Sequence, residues 1–239
     1  MRPVLLIISD SRGKHFRRDL REHPELFDSD RYSDIHIISQ SGARINDLVE
    51  PALDYIENTV HSRRLLIVKI FAGINNLTRI FWNTRGEREI TLSDQTPESV
   101  IVLLLRFRSQ IKDRHEKSIV TFCTVPPVNL EVAQRVAIEK DRLRYPTFSN
   151  QQLRDKTSLL VGTVRNLNNR ILVANRNKQL GITPQTPYTH SYVLKSIGNG
   201  RTRLIVSSLV DGVHGTTRVE LNWLKTIWAT ATTESNLLG

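Results

Sequence analysis

The stretch Val4-Leu5-Leu6-Ile7-Ile8-Ser9-Asp10-Ser11 decides how the rest of the chain is read. An unbroken aliphatic run that ends abruptly in polar residues is the pattern of a strand buried on both faces, as at the centre of a parallel sheet. Similar runs recur at Ile35–Ile38, Leu65–Phe71 and Ile119–Phe122. The first two lead into loop-forming stretches, Ser39-Gln40-Ser41-Gly42 and Ala72-Gly73-Ile74-Asn75-Asn76, and the last is stopped by Pro126-Pro127. Between them lie helical patterns: a charged segment to about Leu26, then Ile45, Leu48, Ala52, Ile56 and Val60, then Val100, Leu104, Phe107 and Ile111 behind Pro97, a good first-turn residue. Strand and helix alternate, so the expected class is α/β, with three layers around a central parallel sheet. In such folds chemistry gathers in the loops beyond the carboxyl ends of the strands.

The remaining chain is less regular. Asn83–Ser93 reads as a polar excursion, and residues 128–178 as mostly helical. Residues 181–210 are interrupted by Pro184, Pro187, Gly198 and Gly200, with Arg203–Ser207 as a strand or hairpin arm. A final helix is expected from about Thr217, where Thr217-x-x-Glu220 fits a capping box, through Leu221, Leu224 and Trp228.

Composition excludes several classes. The chain has 239 residues, the length of one domain, and its 39% hydrophobic content supports a core. The lone Cys123 can form neither an internal disulfide nor a thiolate zinc site; it reads as a core filler at a strand end. No apolar run approaches the roughly 20 residues of a membrane span. The run at Val4 is too short for a signal-peptide core, so the expected location is intracellular, cytoplasmic or nuclear. The formal charge of +10 is carried mainly by arginine, which makes up 25 of the 34 basic residues and points to an anionic partner.

Four short pieces carry candidate chemistry: Ser9-Asp10-Ser11, Gly42, Gly73-Ile74-Asn75-Asn76, and Asp211-Gly212-Val213-His214. In this order they resemble the SGNH (GDSL-like) hydrolase family, and the resemblance covers the whole chain, residues 1–239, as one domain. It implies a flavodoxin-like α/β/α sandwich that cleaves carboxylic esters, acyl or acetyl, through an acyl-enzyme, with no cofactor or metal. Ser11 would be the nucleophile, His214 the general base and Asp211 its partner. The N–H groups of Ser11 and Gly42, with the Asn75 side chain, would form the oxyanion hole. A small-molecule or lipid ester is the implied substrate, and Thr78–Ser93 and Gly181–Ser207 are the segments expected to shape its pocket. Serine needs such partners because its hydroxyl is a weak nucleophile near neutral pH. The chain departs from the family pattern in three places: Ser9 replaces the Gly before Asp-Ser, Asn76 replaces an Asp, and Gly215 replaces the Pro after the His. The first should reshape the nucleophile turn, and the other two should loosen their loops.

The alternative reading is a nucleic-acid-binding or assembly module on the same fold. Arg17, Arg18 and Arg21 cluster on the first helix, and Arg142 and Arg144 lie in a second basic run. The aromatic content of 6% supplies a poor stacking platform for single strands. No Walker A or dinucleotide fingerprint is present. His15, four residues after Ser11, reads as a solvated first-turn residue.

Overall fold

The computed structural model describes residues 2–82, 88–140, 149–197 and 202–238. The aliphatic run forms β1 (Val4–Ser9), buried along its whole length. It is followed by α1 (Phe16–Glu22), β2 (Asp34–Ser39), α2 (Val49–Thr59) and β3 (Leu66–Phe71). A short α3 (Ile74–Leu77) leads into a hairpin of β4 (Thr78–Trp82) and β5 (Arg88–Leu92). Next come α4 (Pro97–Arg114), β6 (Ser118–Phe122), α5 (Leu130–Lys140) and α6 (Asn150–Asn175). A second small hairpin, β7 (Leu194–Ser196) with β8 (Thr202–Leu204), precedes α7 (Thr217–Leu238).

β2, β1, β3 and β6 form one sheet in that order, all parallel. Alternate side chains feed two cores. Val4, Leu6, Ile8, Val68 and Ile70 pack against Ala52, Leu104, Phe107 and Leu167 of α2, α4 and α6. Leu5, Ile7, Ile67 and Phe71 pack against Phe16 of α1 and Trp223, Leu224 and Ile227 of α7. The result is the expected three-layer α/β/α arrangement.

Among the described residues, the outer edge of β6 is closed by side-chain amides and not by a fifth strand. Asn168 accepts from Val125 N–H (2.6 Å) and donates to Val125 C=O (2.9 Å). Asn175 does the same with Phe122 (3.2 and 2.8 Å), and Gln179 with Val120 (3.0 and 2.9 Å). An open edge would offer these groups to another chain.

Two local expectations need correction. The excursion at Asn83–Ser93 contains a strand: β5 pairs antiparallel with β4, Ile80 opposite Ile90. The last helix is capped one residue earlier than its sequence suggests, with Thr216 Oγ1 accepting from Val219 N–H (3.4 Å). Glu220 makes no capping box, because its carboxylate is taken by His15 across the α1–α7 interface. Arg203 does lie on a hairpin arm, in β8.

Candidate active site

β1 ends at Ser9, and the chain turns at once into a single 3-10 turn, Ser11–Gly13. Asp10 caps it: Oδ1 accepts from Arg12 N–H (3.0 Å), while Ser39 Oγ on β2 donates to the Asp10 carbonyl (3.1 Å). Ser9 shapes this turn through Gly13. A Cβ at Gly13 would lie 2.6 Å from both Cβ and Oγ of Ser9. The side chain added at position 9 is thus accommodated by the one missing at position 13.

The base comes from the other end of the chain. Asp211 Oδ1 accepts from the N–H groups of Val213 (3.1 Å) and His214 (2.8 Å), folding the loop over its own carboxylate. Its Oδ2 lies 2.8 Å from His214 Nδ1, and His214 Nε2 lies 3.0 Å from Ser11 Oγ. A neutral imidazole fits this line with its proton on Nδ1, leaving Nε2 to accept from the serine hydroxyl. Burial pushes the Asp211 carboxyl up, but the hydrogen bonds from the His214 ring and from the His214 and Val213 amides hold it well below the usual carboxylate range.

Gly215 does not leave this loop loose. Leu209 bridges Gly215, Val210 N–H donates to His214 C=O (2.9 Å), and Thr216 N–H to Ser208 C=O (3.0 Å). Gly212 seats the loop against α5. Its φ is +80°, and a Cβ there would fall 2.4 Å from the Asn129 carbonyl. In return Asn129 N–H donates to the Gly212 carbonyl (2.7 Å).

The two loops after β2 and β3 meet beside the serine. Asn75 Nδ2 donates one proton to Ala43 C=O (3.0 Å), which leaves its other proton for a ligand. Among the described residues, the N–H groups of Ser11 and Gly42 have no protein acceptor. Asn76 holds this loop pair by both ends of its amide: Oδ1 accepts from Ile45 N–H (3.0 Å), and Nδ2 donates to Gln95 Oε1 (2.8 Å). The expected loosening from Asp to Asn is therefore offset by the extra donor.

Arg12, next to the serine, carries no signal in the sequence. Its guanidinium is 1% exposed, and neither Nε nor Nη2 has a hydrogen-bond partner. Burial lowers its pKa, and the nearby Asp10 and Asp211 carboxylates raise it again. Asp10 is pushed up by burial, against the Arg12 charge and N–H. A cation thus lies within Coulombic reach of both aspartates.

His15 departs from its expected solvated state. Nδ1 lies 2.7 Å from Oε2 of the buried Glu220, tying the helix after the nucleophile to the helix after the base. Cys123 is fully buried with its thiol pushed up to about 12, as a core residue should be. The arginines considered for nucleic acid are partly engaged: Arg17 Nη2 donates to Ile37 C=O (2.6 Å), and Arg18 pairs with Asp19 (3.0 Å). Arg21 is exposed on α1, while Arg142 and Arg144 lie outside the described residues. No described helix is long and apolar enough to cross a membrane.

No family model matches the sequence, and no curated protein does. Solved structures do match its fold. A carbohydrate esterase of family 3 from Talaromyces cellulolyticus aligns with a TM-score of 0.59 at 10% identity, covering 99% of this chain and 100% of that one. A GDSL-like lipase from Bacteroides thetaiotaomicron gives 0.57 at 14% identity over 99% and 89%. A lipase/acylhydrolase from Enterococcus faecalis gives 0.51 at 11% over 98% and 97%. With its parallel sheet and its loops meeting beyond the strand ends, the chain has the fold of the SGNH (GDSL-like) hydrolases.

Proposed function

We propose that this protein is a serine-type hydrolase of carboxylic esters. The observation that carries this reading is the continuous line Asp211–His214–Ser11, with both links at hydrogen-bond length. In this mechanism Ser11 Oγ attacks the ester carbonyl as His214 Nε2 takes the hydroxyl proton. Asp211 holds the ring and stabilises the imidazolium. The oxyanion is received by the Ser11 and Gly42 N–H groups and the remaining proton on Asn75 Nδ2. One such donor is typically worth about 10²–10³ in rate. His214 then passes its proton to the leaving alcohol. Water, activated by the same base, releases the acid from the acyl-serine.

The test is direct. A fluorophosphonate serine probe should label Ser11, and Ser11→Ala should abolish turnover of p-nitrophenyl acetate while preserving the circular dichroism spectrum. Equal turnover by both proteins would overturn the assignment.

A further inference from the structure

A second feature lies away from the triad. A cavity of about 670 Å³ opens between the last turn of α6, residues 184–192 and the middle of α7. That volume suits a small molecule. The cavity shares no residue with the triad or the oxyanion loops. From Thr217 to its lining residue Lys225, α7 rises roughly 12 Å, which sets the cavity back from the His214 loop.

Its lining combines positive charge with aromatic surface. Arg176 at the end of α6 and Lys225 on α7 both line it, and no carboxylate does. Neither cation makes an ion pair among the described residues. Gln185, another lining residue, gives its N–H to Glu234 (3.1 Å), but that carboxylate is fully buried and paired with Lys69. It is not free to neutralise the two cations. Tyr188 and Tyr192 supply the rings. Tyr188 is 51% exposed, an aromatic surface open to a ligand. Tyr192 is fixed through its hydroxyl, 2.8 Å from Thr226 Oγ1. The wall is held by bonds that need no ligand: Asn175 Nδ2 donates to Thr186 Oγ1 (3.0 Å), and Trp223 Nε1 donates to Thr189 C=O (2.9 Å). Arginine forks suit phosphate and carboxylate oxygens, lysine adds a point charge, and tyrosine rings stack on flat ligands.

We propose that this cavity binds a small aromatic anion, a flat ring that carries a phosphate or a carboxylate. The ring lies against Tyr188, and Arg176 and Lys225 take the charge. Because no residue is shared with the triad, the proposal does not rest on the hydrolase reading. Calorimetry with phenyl phosphate and benzoate tests it, with inorganic phosphate and benzyl alcohol as the two halves of the ligand. At least one aromatic anion should bind with a Kd of about 1 mM or tighter. It should bind about tenfold or more tightly than either half, and the ranking of phenyl phosphate against benzoate tells phosphate from carboxylate. Arg176→Gln and Lys225→Gln should each weaken binding about tenfold, and Tyr188→Ala about fivefold. All three side chains lie outside the packed core, so the circular dichroism spectrum should not change. Arg21→Gln, the loss of an exposed arginine on α1, should leave the affinity intact. No binding of either aromatic anion, or binding untouched by both Arg176→Gln and Lys225→Gln, would overturn the site. Inorganic phosphate binding as tightly as phenyl phosphate would overturn the aromatic half of the proposal. A protein without Ser11-dependent turnover would leave these titrations unchanged, so the two readings fail separately.

Discussion

Ser9 and Gly13 show how one residue choice constrains another four positions away. With Ser at position 9, any side chain at position 13 meets it at 2.6 Å. Gly13→Ala should therefore displace the Ser11 turn, destabilising the protein by about 1–3 kcal/mol and lowering kcat. Ser9→Gly in the same molecule should restore both. Thermal melts and ester turnover on the two single variants and the double would check this; a double variant no better than Gly13→Ala would contradict it. Asp211 has a pH signature. Its carboxyl is held below the usual range, so its contribution to stability is present above the unfolded value near 3.8 and lost as pH falls through the depressed folded value. The stability difference between wild type and Asp211→Asn should be full at pH 6–7 and shrink only in strong acid. The same variant should lose on the order of 10⁴ in kcat, because the ring no longer has an ionised partner. Denaturant titrations from pH 2 to 7 alongside steady-state kinetics would measure both effects.

At the scale of elements, the edge of β6 is the least expected feature. Each of Asn168, Asn175 and Gln179 returns a donor and an acceptor to one backbone residue, so three side chains stand in for a neighbouring strand. Asn175→Leu removes both of these bonds, together with those from Arg108 Nη2 (2.9 Å) and to Thr186 Oγ1 (3.0 Å), leaving Phe122 N–H and C=O buried and unpaired. An unpaired buried group costs about 1–3 kcal/mol. Urea unfolding should show a loss of that size or more, and the variant should self-associate through the freed edge. Asn169→Ala, on the solvent side of the same helix, should change stability by less than about 0.5 kcal/mol. The helical character of Leu130–Lys140 and Asn150–Asn175 is readable from the sequence. Which of their asparagines face a strand edge is not, because α6 is positioned by its packing on α4 and the sheet.

Across the whole molecule, the candidate site is assembled from both chain ends, and two charged contacts tie α7 to the rest of the fold. One is His15–Glu220. The other is Lys69–Glu234, 2.7 Å apart with both side chains fully buried, fixing α7 to β3. Glu234 Oε1 also accepts from Thr121 Oγ1 (3.1 Å) and Gln185 N–H (3.1 Å). Burial pulls the Lys69 pKa down and the Glu234 charge pulls it back up. Breaking such a pair leaves an uncompensated charge, so Lys69→Met or Glu234→Gln alone should cost about 3–5 kcal/mol. Lys69→Met/Glu234→Leu should recover much of that loss. Equal unfolding midpoints for the single variants and wild type would contradict this.

The sequence by itself determined the aliphatic strands, their alternation with helices, and the four loop motifs, three of them at strand ends. These rest on local patterning, which a strand or helix imposes on its own residues. It also held the charge excess, without saying where those charges face. Tertiary structure alone decided that Ser11 meets a histidine 203 residues away. It also decided that Arg12 turns inward beside two aspartates, that Glu220 leaves its helix cap for His15, and that Arg176 and Lys225 share one cavity. Most of those contacts join elements distant in the chain. Their geometry is set by how layers pack on the sheet, and no short stretch of sequence carries that information.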